Sequence, residues 1–194
     1  KLDKSLRFIF IPETIGSIAY ISKNLKKLKR NVIGGYNLTC IGDERAYSCM
    51  FSKFRNSPSD ISLVEAFKRL RIKFKEYSFL DRGSDERQFC SPGVNLAITS
   101  IFRSKYGEYP EYHTSLDNFD LVTIKGLKGG FEVAKTAINN LLKKIIPEAK
   151  LLCEPMLSKK KLYPTLLNKN SNIMSSKKLL DFLMYSDGKT ELKK

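Results

Sequence analysis

The chain alternates short, continuous apolar runs with stretches whose apolar residues recur at helical spacing. Leu6-Arg7-Phe8-Ile9-Phe10-Ile11 has strand length and predicts a strand buried on both faces, ended by Pro12. Ile15, Ile18, Ala19, Ile21, Leu25 and Leu28 follow at helical spacing with lysines between them, which predicts an amphipathic helix over 15–28 packed on a sheet. Residues 31–35 turn the chain into a second strand, 36–41, with Gly42-Asp43 at its carboxyl end. Residues 46–51 continue that strand or pair with it. In the loop 56–60, Ser59 or Asp60 can cap a helix over 61–73 whose inner face is Leu63, Val64, Phe67 and Leu70.

A short strand over 75–80 leads into the polar stretch 81–87. Another apolar strand covers 94–101, and 106–117 is a long polar and aromatic loop. Residues 121–124 pass through Gly126, Gly129 and Gly130 into a helix over 131–145, which Pro147 ends. Residues 151–170 look irregular, a last helix covers 177–185, and the charged tail 189–194 is expected to fray. Strands alternating with helices predict a three-layer α/β fold with a mostly parallel mixed sheet covered by helices. The expected division is a core over 1–150 and an extension of it over 151–194.

The 194 residues and 42% hydrophobic content suit one globular core. No apolar run is long enough to span a bilayer. Residue 1 is Lys, and the strand-like run begins at Leu6. Together these suggest a chain that starts inside a longer protein. The net charge of +15 attracts anionic polymers in general. Most of it lies on expected helix faces, at Lys23, Lys26, Lys27, Lys29 and Arg30 for example, where solvated lysines are ordinary. No RNA-binding signature or zinc-finger spacing accompanies it, so nucleic acid is not the expected partner. Cys40, Cys49, Cys90 and Cys153 form no Cys-x-x-Cys pair. They read as free buried thiols of a reducing, cytoplasmic compartment, with a Cys40–Cys49 disulfide across a hairpin left open.

Three segments carry potential chemistry: Ile11 to Ser17 with Glu13, Leu80 to Gln88 with Asp85, Glu86 and Arg87, and Glu111 to Asp117 with the single histidine, His113. Glu13 and Asp43 each follow an expected strand, and sites in such sheets gather beyond the carboxyl ends of strands. An Asp, a Glu and a His meeting there could hold zinc and leave a place for water. Each residue also has a plainer reading. Glu13 suits a helix N-terminus, Asp43 a turn, Asp85 a cap and His113 an ordinary loop hydrogen bond.

The strings Phe10-Ile11-Pro12-Glu13-Thr14-Ile15-Gly16-Ser17, Leu80 through Gly93, and Lys105 through Asp117 resemble an aminopeptidase-like domain family met in bacterial surface-polysaccharide gene clusters. That family is similar to the zinc-dependent exopeptidases that include leucyl aminopeptidases, glutamate carboxypeptidase and glutaminyl cyclase. The resemblance implies that Glu13 is the general base, that Asp43 and His113 bind metal, and that Asp85, Glu86 and Arg87 shape the pocket or hold a charged substrate end. Thr14 stands where the wider group has a second, metal-binding Glu. Further metal ligands of the group precede the matched segment, so the implied zinc needs donors outside this chain. The family also resembles a bipartite design with additional domains flanking this segment. The implied activity is hydrolysis of an amide bond beside a free amino group, in a peptide or aminoacyl small molecule. The alternatives are a non-catalytic domain of the same fold that binds an anionic glycan or nucleic acid through its basic surface, and amide hydrolysis or acyl transfer on an amino sugar.

Overall fold

The structure, a computed structural model, describes residues 4–143, 147–160, 162, 173–188, 190 and 192. The chain divides into two compact units, Lys1–Leu142 and Lys143–Lys194. In the first, strands β1 (Gly35–Leu38), β2 (Ser48–Met50), β3 (Lys75–Tyr77) and β4 (Ile98–Phe102) form one sheet in the order β1-β4-β2-β3. β1 runs parallel to β4 and β2 parallel to β3, while β2 and β4 are antiparallel. The sheet is therefore mixed, and the architecture is α/β. One consequence governs the chemistry: β1 and β4 end at one edge of the sheet, β2 and β3 at the other.

Side-chain alternation assigns the faces. Ile101 points to one side with Cys49, and there α2 (Pro58–Leu70) and α4 (Ile124–Lys143) deliver Leu63, Phe67, Val133 and Ala137, all fully buried. Ile98 points to the other side, where α1 (Ile15–Asn31) and the short α3 (Glu86–Phe89) pack Ile21, Leu28 and Phe89 around Leu96. Met50, Phe102 and Tyr106 make a third apolar group.

Each face also conceals a carboxylate. Asp60 is 3% exposed and accepts five hydrogen bonds, from the N–H and hydroxyl groups of Ser52 and Ser57 and from the Thr99 hydroxyl. Ser57 and Asp60 form a reciprocal capping box, and Pro58 opens α2. The helix cap is thus Ser57, ahead of both expected candidates, Ser59 and Asp60. Neutral donors surround Asp60 completely, so its burial needs no partner cation.

Several expectations change. Residues 5–12 form no strand: Phe8 is 68% and Phe10 93% exposed. Apolar content supplies no hydrogen-bond partner, and no strand among the described residues pairs with this run. α4 starts at Ile124, not 131, and runs straight through its three glycines. The Thr123 hydroxyl accepts the Gly126 N–H and caps it. Gly126 faces the chain at Gly42, where a Cβ would overlap the Gly42 carbonyl. Close packing, not helix breaking, explains the glycine. All four cysteines are free, and Cys153 is exposed, not buried.

In the second unit, α5 (Ile173–Met184) ends before Ser186, whose carbonyl accepts the Ala149 N–H at 2.7 Å. Much of the expected irregular segment 151–170, the end of the expected helix 131–145, and most of the tail 189–194 lie outside the described residues. No helix among the described residues is long and apolar enough to cross a membrane.

Candidate functional site

The turn that carries Glu13 has an unusual backbone. Thr14 has φ 62° and ψ −66°, and the Ile15 N–H reaches back to the Glu13 carbonyl at 2.7 Å. That is a γ-turn of the rare, strained hand, on a β-branched residue. Such a conformation persists only where surroundings hold it. Here the holders are Asp85 and Arg87. Asp85 Oδ1 accepts the Thr14 N–H and the Ser17 hydroxyl, both at 2.8 Å, and Arg87 Nη2 donates to Thr14 Oγ1 at 2.6 Å. The Asp85 carboxylate also sits at the N-terminus of α1, where the helix dipole favours it. Glu13 itself is exposed, and its carboxylate has no hydrogen bond or ion pair among the described residues. A free acid is thus presented on a clamped backbone.

The loop after β4 carries the other expected residue, His113. Burial chiefly raises the Tyr112 hydroxyl above the usual tyrosine range, with smaller contributions from Cys40 and from the charge of Glu13. The Tyr112 ring stacks on His113 with centroids 3.8 Å apart. His113 is exposed, at φ 61°, with no hydrogen-bond partner for its ring among the described residues. Tyr109 packs edge-on against Tyr112 at 5.7 Å, and its hydroxyl donates to Cys40 Sγ.

Asp43 stands at the carboxyl-terminal edge of β1, 5% exposed. It accepts the N–H and hydroxyl of Ser104, which follows β4, and the Arg45 N–H. It lines a cavity of about 280 Å³ with Tyr109, Tyr112 and Asp117. Arg45 in turn forms a two-pronged ion pair with Glu111, at 2.6 and 2.9 Å. This pair ties the loop after β1 to the loop that carries His113. It holds the Glu111 carboxyl at about 2, chiefly through the hydrogen bond from Arg45.

Glu86, expected among the pocket residues, is 1% exposed. Its oxygens accept the N–H groups of Gly83 and Ser84, the Asn37 amide and the hydroxyls of Ser100 and Tyr106. It is the mirror of Asp60 on the opposite sheet face. The segments 81–87 and 106–117 leave opposite edges of the sheet, not the same one. They nevertheless meet, because the Tyr106 hydroxyl reaches across to Glu86 Oε1 at 3.0 Å. Burial, with the adjoining Glu86 charge, pushes that hydroxyl well above the usual range.

Zinc does not fit the described residues as a complete site. They contain no group of three or more His, Cys, Asp or Glu side chains placed to hold a metal. Asp43 has three of its roughly four acceptor directions filled by the chain itself. Sequence patterns could not show the partners that matter here, Tyr112 against His113 and Arg45 against Glu111. The nearest signal was the aromatic density of 106–112.

Comparison with known proteins follows this geometry. The chain is 35% identical over 196 residues to a Clostridium acetobutylicum protein named for polysaccharide biosynthesis and an aminopeptidase-like domain, covering 99% of this chain and 44% of that one. It superposes on a crystal structure from Clostridium acetobutylicum described as a peptidase, with TM-score 0.66 and 32% identity, covering 93% of this chain and 39% of the other. The chain thus spans under half the length of the relatives it matches. An aminopeptidase from Aneurinibacillus sp. strain AM-1 shares the fold at TM-score 0.56 and 18% identity, over 66% of this chain and 30% of that one. A Bacillus subtilis zinc aminopeptidase does so at 0.55 and 17%, over 64% and 32%. The model of the family described as a domain of unknown function (DUF4910) matches residues 1–144, and the chain belongs to that family.

Proposed function

We propose that the chain is the acid–base part of an aminopeptidase-like hydrolase acting on an amide bond beside a free amine. One observation carries the reading: Glu13 is an exposed carboxylate, unpaired among the described residues, on a strained turn that two other side chains clamp. A general base must be free to take a proton and be fixed in place while doing so. In the proposed step Glu13 takes a proton from the water that attacks the amide carbon. As the C–N bond breaks, Glu13 passes that proton to the departing nitrogen. The exposed imidazole of His113 lies beside Tyr112 and is assigned to the substrate or to a metal as a single donor. Asp43 is assigned the same metal role only through its remaining acceptor direction. Zinc would draw further donors from beyond the described residues, and no step here passes through it.

Asp85 and Arg87 serve by holding the turn, and Glu86 by supporting the loop beneath them. In this reading residues 1–150 form the hydrolase core, 151–194 extend it, and the setting is cytoplasmic. The Clostridium relative's name adds polysaccharide biosynthesis as the setting, which we extend to this chain.

The test is hydrolysis of aminoacyl amides by the full-length protein with zinc supplied, comparing it with its Glu13→Gln variant. A loss of about 10²–10⁴-fold in kcat is expected. Activity that survives the substitution removes Glu13 from the reaction.

A further inference from the structure

We infer that a second site, at the opposite edge of the sheet, binds a phosphate ester carried on a ring. The segments leaving β2 and β3, together with α3, enclose a groove of about 810 Å³. It shares no lining residue with the cavity beside Asp43. Four cationic side chains line it, Lys53, Arg55, Arg82 and Arg87, against one carboxylate, Glu76. Glu76 pairs with Arg55 at 2.6 Å. Lys53, Arg82 and Arg87 have no carboxylate partner among the described residues.

Aromatic faces position two of the four cations. The Arg82 guanidinium lies 5.4 Å over the Phe79 ring, and the Arg55 guanidinium 5.2 Å over Phe51. Both rings belong to the groove wall. A cleft with one sign of charge and low-dielectric walls concentrates counter-ions. Guanidinium forks match the oxygens of a phosphate. Tyr77, Leu80 and Pro92 complete an apolar wall on which a ring can lie. The volume suits a ligand of about mononucleotide or sugar-phosphate size. A single groove of this volume favours a ligand of that size over a larger polyanion.

Arg87 is shared with the Glu13 turn, where it donates to Thr14 Oγ1, so the test reads binding without turnover and substitutes only residues that take no part in the hydrolase reading. Isothermal titration of the chain with glucose 1-phosphate, uridine monophosphate, inorganic phosphate and glucose separates the sources. The expected result is saturable binding of at least one ring-bearing phosphate, about tenfold tighter than inorganic phosphate, and no binding of glucose. Arg82→Gln and Lys53→Gln should each weaken it about tenfold. Glu76→Gln, which frees Arg55, should tighten it severalfold. That gain cannot arise from a misfolded variant. Equal affinity for inorganic phosphate, no saturable binding, affinity unmoved by these three substitutions, or tighter binding of a single-stranded oligonucleotide than of the mononucleotide would each overturn the assignment.

Discussion

At the scale of single residues, the chain separates carboxylates that support from one that is available. Asp60 and Glu86 are enclosed by five neutral donors each, and Asp43 by three. Glu13 has none. Asp85 lies between these cases, with one oxygen holding the strained turn. Removing that oxygen leaves the Thr14 N–H without its acceptor, so Asp85→Ala should lower stability by about 1–3 kcal/mol in urea unfolding. Asp85→Asn keeps an acceptor and loses mainly the charge at the head of α1, so its cost should stay below about 1 kcal/mol. Equal losses in both variants would mean that the charge, not the hydrogen bond, holds the turn. The place of Glu13 just ahead of a helix was legible in the sequence, because it directly follows Pro12 before a helical pattern. The support role of Glu86 was not. Its donors come from Asn37, Gly83, Ser84, Ser100 and Tyr106, and none of these residues marks itself as a carboxylate's partner.

At the scale of elements, periodicity predicted helices well wherever an apolar stripe faced the sheet. The helix over 15–28 became Ile15–Asn31 and the one over 61–73 became Pro58–Leu70. It failed where packing overrode local preference. A run of glycines reads as a breaker, yet Gly126 and Gly130 lie on the side of α4 that meets residues 41–43. That close approach positions the strand end that carries Asp43. Gly126→Ala would ordinarily favour a helix by about 1 kcal/mol. Here the added Cβ would strike the Gly42 carbonyl and come within 2.7 Å of the Asp43 carbonyl oxygen. The overpacking penalty should win, for a net loss of about 1–3 kcal/mol by thermal or urea unfolding. A stabilised variant would show that α4 can slide away from this loop. The opposite failure is the run Leu6–Ile11, whose apolar content predicted a buried strand. A strand is defined by its neighbour as much as by its own residues, and a single sequence cannot display the neighbour.

At the scale of the whole molecule, the excess of basic groups makes acid its natural stress. Each carboxylate that gains a proton adds to a net charge already at +15. The ion pairs Arg45–Glu111, Lys75–Glu108 and Lys125–Glu44 lower their carboxyl groups below the usual range, chiefly through the hydrogen bond from the cation. The sign follows from linkage. A carboxyl lowered by folding contributes stability above its unfolded value, and that contribution is lost as pH falls through the folded value. For Glu111 the window runs from the ordinary 4.5 down to about 2. Because Arg45–Glu111 joins the loop beside Asp43 to the loop of His113, protonation should release that loop before the core unfolds. The Tyr112–His113 stack should then loosen at a higher pH than global unfolding, which near-ultraviolet circular dichroism of the tyrosines can separate from the far-ultraviolet helix signal. Glu111→Gln should remove this early transition at low pH by showing the loosened signal already at neutral pH. It should leave the far-ultraviolet transition nearly in place. If both signals in the natural chain move together, the loop and core melt as one unit and the ion pair is not the latch proposed for it.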